Sequence, residues 1–183
     1  MAVQQVLKQL LNQWHEKAVN HTGSEPLIEH DEQWPSPCEN MSSLNEGLVQ
    51  WQHVERTEQG DLTQLADALE LTFHPSINAF YGAFYSNNVP VTSHFGQFEL
   101  LQAWNEDDFE RLQQNITGHI LMKRKLKQPP TIFIGLTEEE DLLLTLDCTS
   151  GDVCLEYVGK KPHKVLTHDL AEFLEYCTAE YRY

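Results

Sequence analysis

The sequence predicts an α+β domain: a mixed, largely antiparallel sheet with helices packed around it. Three observations predict it. Helical and extended periodicities alternate along the chain. The extended segments of the second half are joined by short turns, as antiparallel neighbours require. One long amphipathic helix, opening at Asn105, runs through a double proline into an apolar strand. With 183 residues the chain is long enough to bury a core, and no repeat or linker divides it, so residues 1–183 read as one domain.

Val3, Val6, Leu7, Leu10, Leu11 and Trp14 form a helical stripe that runs to about Asn20, with Gly23 as its stop. Residues 24–46 carry several prolines and read as loop, with Trp34 to pack it down. Gly47 to Val54 alternates, placing Val49, Trp51 and His53 on one side of a strand. Asp61 to Glu70 reads as a short helix with Leu62, Leu65, Ala66 and Leu69 inward, and Leu71–Phe73 as a brief strand. Pro75 opens a helix whose aromatic face holds Ile77, Phe80, Tyr81 and Phe84, by default a core face. Val89 to Ala103 is strand material bent at Gly96.

The central helix follows. Phe109, Leu112, Ile116, His119, Ile120 and Lys123 recur at helical spacing, so this stripe faces a core. Asn105 is its N-cap, and Asp108 can complete a capping-box exchange. Glu106, Asp107 and Asp108 complement the positive end of the helix dipole, and Lys123–Lys127 the negative end. Pro129 and Pro130 end it, and Thr131–Leu136 is an interior strand. An acidic turn, Thr137–Asp141, leads to Leu142–Cys148; Thr149–Asp152 then reverses the chain into Val153–Val158. Lys160–Lys164 reads as exposed loop, and Thr167 as the cap of a last helix carrying Leu170, Phe173, Leu174 and Cys177 inward.

The formal net charge is −16, and it is unevenly spread. Residues 1–110 hold three basic and seventeen acidic residues, whereas residues 111–183 hold nine and eleven. Such a surface repels nucleic acid and anionic lipid and attracts basic protein; simple solubility is the bland alternative. No run of eighteen apolar residues exists, and the first residues lack the pattern of a secretory signal, so a cytoplasmic protein is expected.

Catalytic patterns are missing. The nine histidines are scattered, with no HExxH and no Cys/His group at zinc spacing. His119 reads as a hydrogen-bonded interface residue rather than a ligand. There is no GxSxG elbow, phosphate loop or dinucleotide fingerprint. Asp107 and Asp108 are adjacent on a helix and point apart, which disfavours a shared acid–base role. The cysteines Cys38, Cys148, Cys154 and Cys177 form no CxxC pair and are expected to be reduced and buried; Cys148 and Cys154 flank one turn and could face each other. The Lys123–Lys127 cluster lacks interleaved aromatics, so dipole compensation accounts for it better than phosphate binding. No catalytic, cofactor or metal residue is assigned, and no small-molecule substrate is expected.

Six stretches then carry a resemblance. They are Pro35-Ser36-Pro37-Cys38, Trp104-x-Glu106-Asp107-Asp108-Phe109, Gln114-Asn115-x-x-Gly118-His119, Leu126-Lys127-x-Pro129-Pro130-Thr131-x-Phe133-Ile134, Ser150-Gly151-x-Val153-Cys154-x-Glu156 and Leu170-Ala171-Glu172-Phe173-Leu174. In this order they resemble the Syd family of bacterial SecY-interacting proteins, itself distantly similar to the SUKH (Smi1/Knr4-like) superfamily. Residues 40–59 match less clearly. The resemblance implies an α+β fold without cofactor or catalytic residues. It implies a peripheral protein on the cytoplasmic side of the inner membrane, held there by SecY. It also implies regulation, either by sequestering uncomplexed SecY or by restraining the translocase. The superfamily suggests one alternative, an acidic immunity-type protein that neutralises a toxin.

Cytoplasmic loops of membrane proteins are rich in Lys and Arg, which suits an acidic partner and makes membrane association indirect. The candidate protein-binding residues are Glu106, Asp107, Asp108 and Glu110 at the helix start, then Glu138, Glu139 and Glu140 in the acidic turn. Reversing Asp107 and Asp108 to Lys is expected to abolish SecY binding with little effect on stability.

Overall fold

The computed structural model describes residues 1–182. Helix α1 (Val3–Thr22) buries Val6, Leu7, Leu10 and Leu11, and Gly23 ends it at φ 75° with its N–H bonded to the Val19 carbonyl. The segment expected as loop contains two strands. β1 (Leu27–Glu29) and β2 (Glu39–Asn45) flank β3 (Leu48–Trp51) in a small antiparallel sheet. Sequence patterning misses them because β1 is only three residues long and β2 holds no buried residue and shows no alternation. β4 (Val54–Glu55) then pairs with β5 (Phe84–Tyr85).

Between those two strands lie α2 (Thr63–Ala68) and α3 (Pro75–Tyr81). Leu71–Phe73 is not a strand. The Leu71 N–H bonds the Ala66 carbonyl and closes α2, while Leu71 and Phe73 pack on the core. The aromatic face of α3 is core, as expected, with Ile77, Phe80 and Tyr81 buried; Phe84, expected on the same helix face, lies beyond the helix end at Gly82 and is buried from β5 instead.

The main sheet comprises β6 (Val89–Ser93), β7 (Gly96–Leu100), β8 (Thr131–Thr137), β9 (Leu142–Asp147), β10 (Val153–Tyr157), β11 (Lys164–Thr167) and β12 (Thr178–Ala179). Its order is β11-β10-β9-β8-β7-β6-β12, and every neighbour is antiparallel. The long helix α4 (Glu106–Lys125) connects β7 to β8, and α5 (Leu170–Glu175) connects β11 to β12. Asp169, not Thr167, caps α5 by accepting from the Glu172 N–H; Thr167 ends β11, a strand that the expected 160–164 loop partly hides. α1 packs on α3, α5, β6 and β12.

The pairing of β9 with β10 sets Leu146 opposite Val153 and Thr145 opposite Cys154. Ile132, Leu144, Leu146 and Val153 enter the main core; Thr131, Thr145 and Glu156 alternate with them and meet α4. Cys148 belongs to the main core and Cys154 does not, so the two thiols do not face each other. All four cysteines are free and buried.

The α4 side of the sheet is polar at one point. Glu156 is 1% exposed, and its carboxylate accepts from Lys123 Nζ at 3.1 Å, Thr131 Oγ1 at 2.8 Å and Thr145 Oγ1 at 3.0 Å. His119 Nε2 lies 3.0 Å from Thr131 Oγ1 and 3.5 Å from the carboxylate, the interface role expected of it. Lys123 is fully buried and also donates to the Lys160 carbonyl. Its charge is therefore committed to Glu156 rather than to the helix dipole alone. Burial opposes ionisation of Glu156, but the hydrogen bonds from His119 and Thr131 and the Lys123 charge outweigh it, holding the carboxyl below its ordinary range.

Two stability predictions follow from this packing. A Cβ on Gly82 would lie 2.1 Å from the Gly60 carbonyl oxygen, a backbone atom that cannot rotate away. Gly82→Ala should cost about 1–3 kcal/mol, read as a lowered denaturation midpoint in urea. Lys123→Met strands a buried carboxylate and should cost about 3–5 kcal/mol, whereas Lys123→Met with Glu156→Leu should recover most of that loss. The pH dependence has a definite sign. Glu156 titrates lower when folded, so its contribution is complete above the ordinary value of 4.5 and falls away as pH drops below it. The double variant should flatten that acid limb.

Candidate protein-binding site

The start of α4 is fastened before its surface is shaped. Asn105 Oδ1 accepts the Asp108 N–H at 2.7 Å, and Asp108 Oδ2 accepts the Trp104 N–H at 2.8 Å. This is the expected capping exchange, returned one residue earlier than a standard box. Asn105 Nδ2 donates to the Pro35 carbonyl, and Ser36 Oγ donates to the Trp104 carbonyl. Cys38 Sγ donates to the Tyr85 carbonyl. The Pro35–Cys38 and Trp104–Phe109 stretches, far apart in sequence, are thus one interlocked unit.

Aromatic packing holds the same junction. Trp14 lies 5.0 Å from Trp51, and Trp51 lies 5.4 Å from Trp104, ring centre to ring centre. Trp34 packs against this cluster and takes the Arg111 guanidinium over its face at 5.4 Å. The small sheet is thereby pinned beside α4.

Two grooves result, one on each flank of the first half of α4. The first has a volume of about 390 Å³ and brings Glu29, Asp31 and Glu39 of the small-sheet region against Asp108, Arg111, Leu112 and Asn115 of the helix. Trp34 and Trp104 supply apolar surface there. The second, of about 780 Å³, sets Glu58 and Asp61 against Glu106, Glu110 and Gln113. Each groove contains one arginine, and each arginine is neutralised: Arg111 by Asp108 at 2.6 Å and Arg56 by Glu106 at 2.9 Å.

The candidate residues divide accordingly. Asp107 and Glu110 are exposed, with no ion pair among the described residues. Glu106 is exposed but engaged by Arg56 and the Tyr85 hydroxyl. Asp108 is half-buried and structural. Glu138, Glu139 and Glu140 stand exposed in the β8–β9 turn; Glu139 accepts the Tyr157 hydroxyl, and no hydrogen bond or ion pair among the described residues joins this turn to the α4 start. Residue patterning missed Glu29, Asp31 and Trp34. Their one signal was the acidic run 29–32 beside Trp34, inside a segment read as loop. Glu39, also in the first groove, is nearly buried and holds His30 Nδ1 and the Ser36 N–H.

The two grooves are lined by exposed carboxylates, with apolar surface from Trp34 in the first and Phe109 in the second. Among the described residues no group of three or more His, Cys, Asp or Glu could hold a metal ion. Burial pushes the Cys38 and Cys154 thiols up to about 11 and those of Cys148 and Cys177 up to about 12, away from thiolate reactivity.

This geometry corrects the expected behaviour of charge reversal at the helix start. Asp108→Lys removes a cap bond and should lower stability by about 1–2 kcal/mol. Asp107→Lys with Glu110→Lys breaks no hydrogen bond or ion pair among the described residues and should cost about 1 kcal/mol in thermal unfolding through the helix dipole alone, making it the cleaner surface variant.

Comparison with known proteins agrees with the interlocked motifs. The family model described as "Syd protein (SUKH-2)" matches residues 4–179. Protein Syd of Pseudoalteromonas translucida is 52% identical over 175 residues, covering 96% of this chain and 98% of the relative. Protein Syd of Pseudoalteromonas atlantica is 49% identical, covering 81% of each chain. Protein Syd of Colwellia psychrerythraea is 42% identical, covering 90% of this chain and 86% of the relative. The chain therefore belongs to the Syd protein (SUKH-2) family.

Proposed function

We propose that this protein is a SecY-binding regulator. It takes basic cytoplasmic loops of SecY into the acidic grooves beside α4, and so sequesters uncomplexed SecY or restrains the translocase. The observation that carries the reading is the pair of grooves, whose two arginines are both spent on internal carboxylates while Glu29, Asp31, Asp107 and Glu110 remain exposed. Lys- and Arg-rich loops are what the cytoplasmic side of a channel offers. Opposite charge speeds encounter and sets orientation, while Trp34 and Trp104 supply the apolar surface that sets lifetime. Among the described residues no helix is long and apolar enough to cross a membrane, which fits a peripheral protein on the cytoplasmic face.

The acidic turn Glu138–Glu140 is a second part of the same reading, engaged by a more distant loop. Binding to inner-membrane vesicles, with and without excess SecY, tests the proposal. Excess SecY should raise binding, and added salt should remove that increment. Asp107→Lys with Glu110→Lys should weaken the SecY-dependent part about tenfold at low salt, roughly 1.4 kcal/mol. No increment on adding SecY would overturn the reading and turn attention to a basic toxin as the partner.

A further inference from the structure

The basic residues are few, and their engagement is uneven. Of the twelve Lys and Arg side chains, seven are engaged: Lys8, Lys17, Arg56, Arg111 and Lys123 by carboxylates, Arg124 by the Leu69 carbonyl and Arg182 by Gln97. The other five are Lys125, Lys127, Lys160, Lys161 and Lys164. All five are exposed, and none of their ammonium groups donates a hydrogen bond or forms an ion pair among the described residues.

These five come from two segments that the fold clamps together. Gln128 Nε2 donates to the Gly159 carbonyl at 2.9 Å, and Lys123 Nζ donates to the Lys160 carbonyl at 2.8 Å. A Cβ on Gly159 would lie 4.0 Å from Leu126 Cδ1. The end of α4 and the β10–β11 hairpin thus form one surface. Dipole compensation covers Lys125 and Lys127 at most; Lys160, Lys161 and Lys164 are not on a helix.

Apolar side chains stand among the lysines. Leu121 and Leu126 are each 48% exposed and Val158 is 47% exposed. Tyr157 marks the border, its hydroxyl given to Glu139 of the acidic turn, and its ring is stacked on His163 at 5.3 Å. Unpaired ammonium groups around exposed aliphatic side chains match a surface that is anionic outside and hydrocarbon beneath.

We infer that the end of α4 and the β10–β11 hairpin form a direct contact site for anionic phospholipid headgroups, with Leu126 and Val158 entering the interface. The site goes beyond SecY binding and adds a weak second hold. It is compatible with a net charge of −16 at physiological salt, where a screening length of about 8 Å confines the attraction to the lysines nearest the membrane. A lipid surface accounts for the exposed aliphatic groups; a polynucleotide does not, and it is repelled by the rest of the chain.

The test uses the full chain and protein-free vesicles, so it stands or falls separately from SecY binding. Vesicles containing phosphatidylglycerol should bind the protein at about 0.15 M salt, and vesicles of phosphatidylcholine alone should not. Each lysine changed to Gln should weaken binding about fivefold. Lys160→Glu with Lys161→Glu should abolish it while the thermal unfolding midpoint stays unchanged, and Leu126→Ser should remove the part that survives added salt. No binding to the anionic vesicles at about 0.15 M salt, or equal binding to both lipids, would overturn the inference. So would a preference for single-stranded RNA over those vesicles.

Discussion

The buried pairing of Glu156 with Lys123 is the constraint around which the molecule is arranged. A carboxylate and an ammonium leave water only if each finds enough partners inside. Here α4 supplies Lys123 and His119, while β8, β9 and β10 supply Thr131, Thr145 and Glu156 itself. The cluster fixes rotation and depth of the helix at once, because a sliding or turning α4 would leave a charge without its counterpart. Lys123 also holds the Lys160 carbonyl, so the same residue orients the β10–β11 hairpin.

At the other end of α4 the restraint is a set of hydrogen bonds to backbone groups, some of them with residues about 70 positions earlier in the chain. Asn105, Asp108, Ser36 and the Pro35 and Trp104 carbonyls close a ring of hydrogen bonds over the helix start. Indole stacking completes the join to the small sheet. Held at both ends, the helix presents one flank to each groove. The carboxylates that look alike in sequence then divide between two duties. Asp108 and Glu39 hold the backbone, and Glu106 answers Arg56. Asp107 and Glu110 are left facing solvent.

Much of this could be read from residue order, and the rest failed for physical reasons. The α4 stripe, the stop at Gly23, the bend at Gly96 and the β9–β10 hairpin follow from local periodicity and turn chemistry, which act over a few residues. The stripe even placed Lys123 inward, but its counterpart lies 33 residues away and has no local signature. β2 escaped because it buries no residue and carries no alternation to read, and β1 because three residues, with only Ile28 packed inward, are too short for a period to show. Thr167 looked like a cap because Thr, like Asp, favours that position; in the structure it ends β11, its hydroxyl donates to the Asp169 carbonyl, and Asp169, directly before α5, caps the helix. Among the acidic residues at the helix start, sequence could not separate those that hold the backbone or an arginine from those left exposed, because their partners lie elsewhere in the chain. It also passed over Glu29 and Asp31, which reach the groove only through the small sheet.

The gathering of the indoles has a spectroscopic consequence. The chain has four tryptophans, and Trp14, Trp34, Trp51 and Trp104 all belong to the cluster between α1, the small sheet and the start of α4. None lies in the main core formed by the seven-stranded sheet apart from the edge shared through Trp14. Excitation passes readily between rings about 5 Å apart, as Trp14, Trp51 and Trp104 are. The intrinsic ultraviolet emission of the protein therefore monitors a single junction. A red shift would register water entering beside the first groove, even while the far larger β-sheet core stayed dark to the same probe.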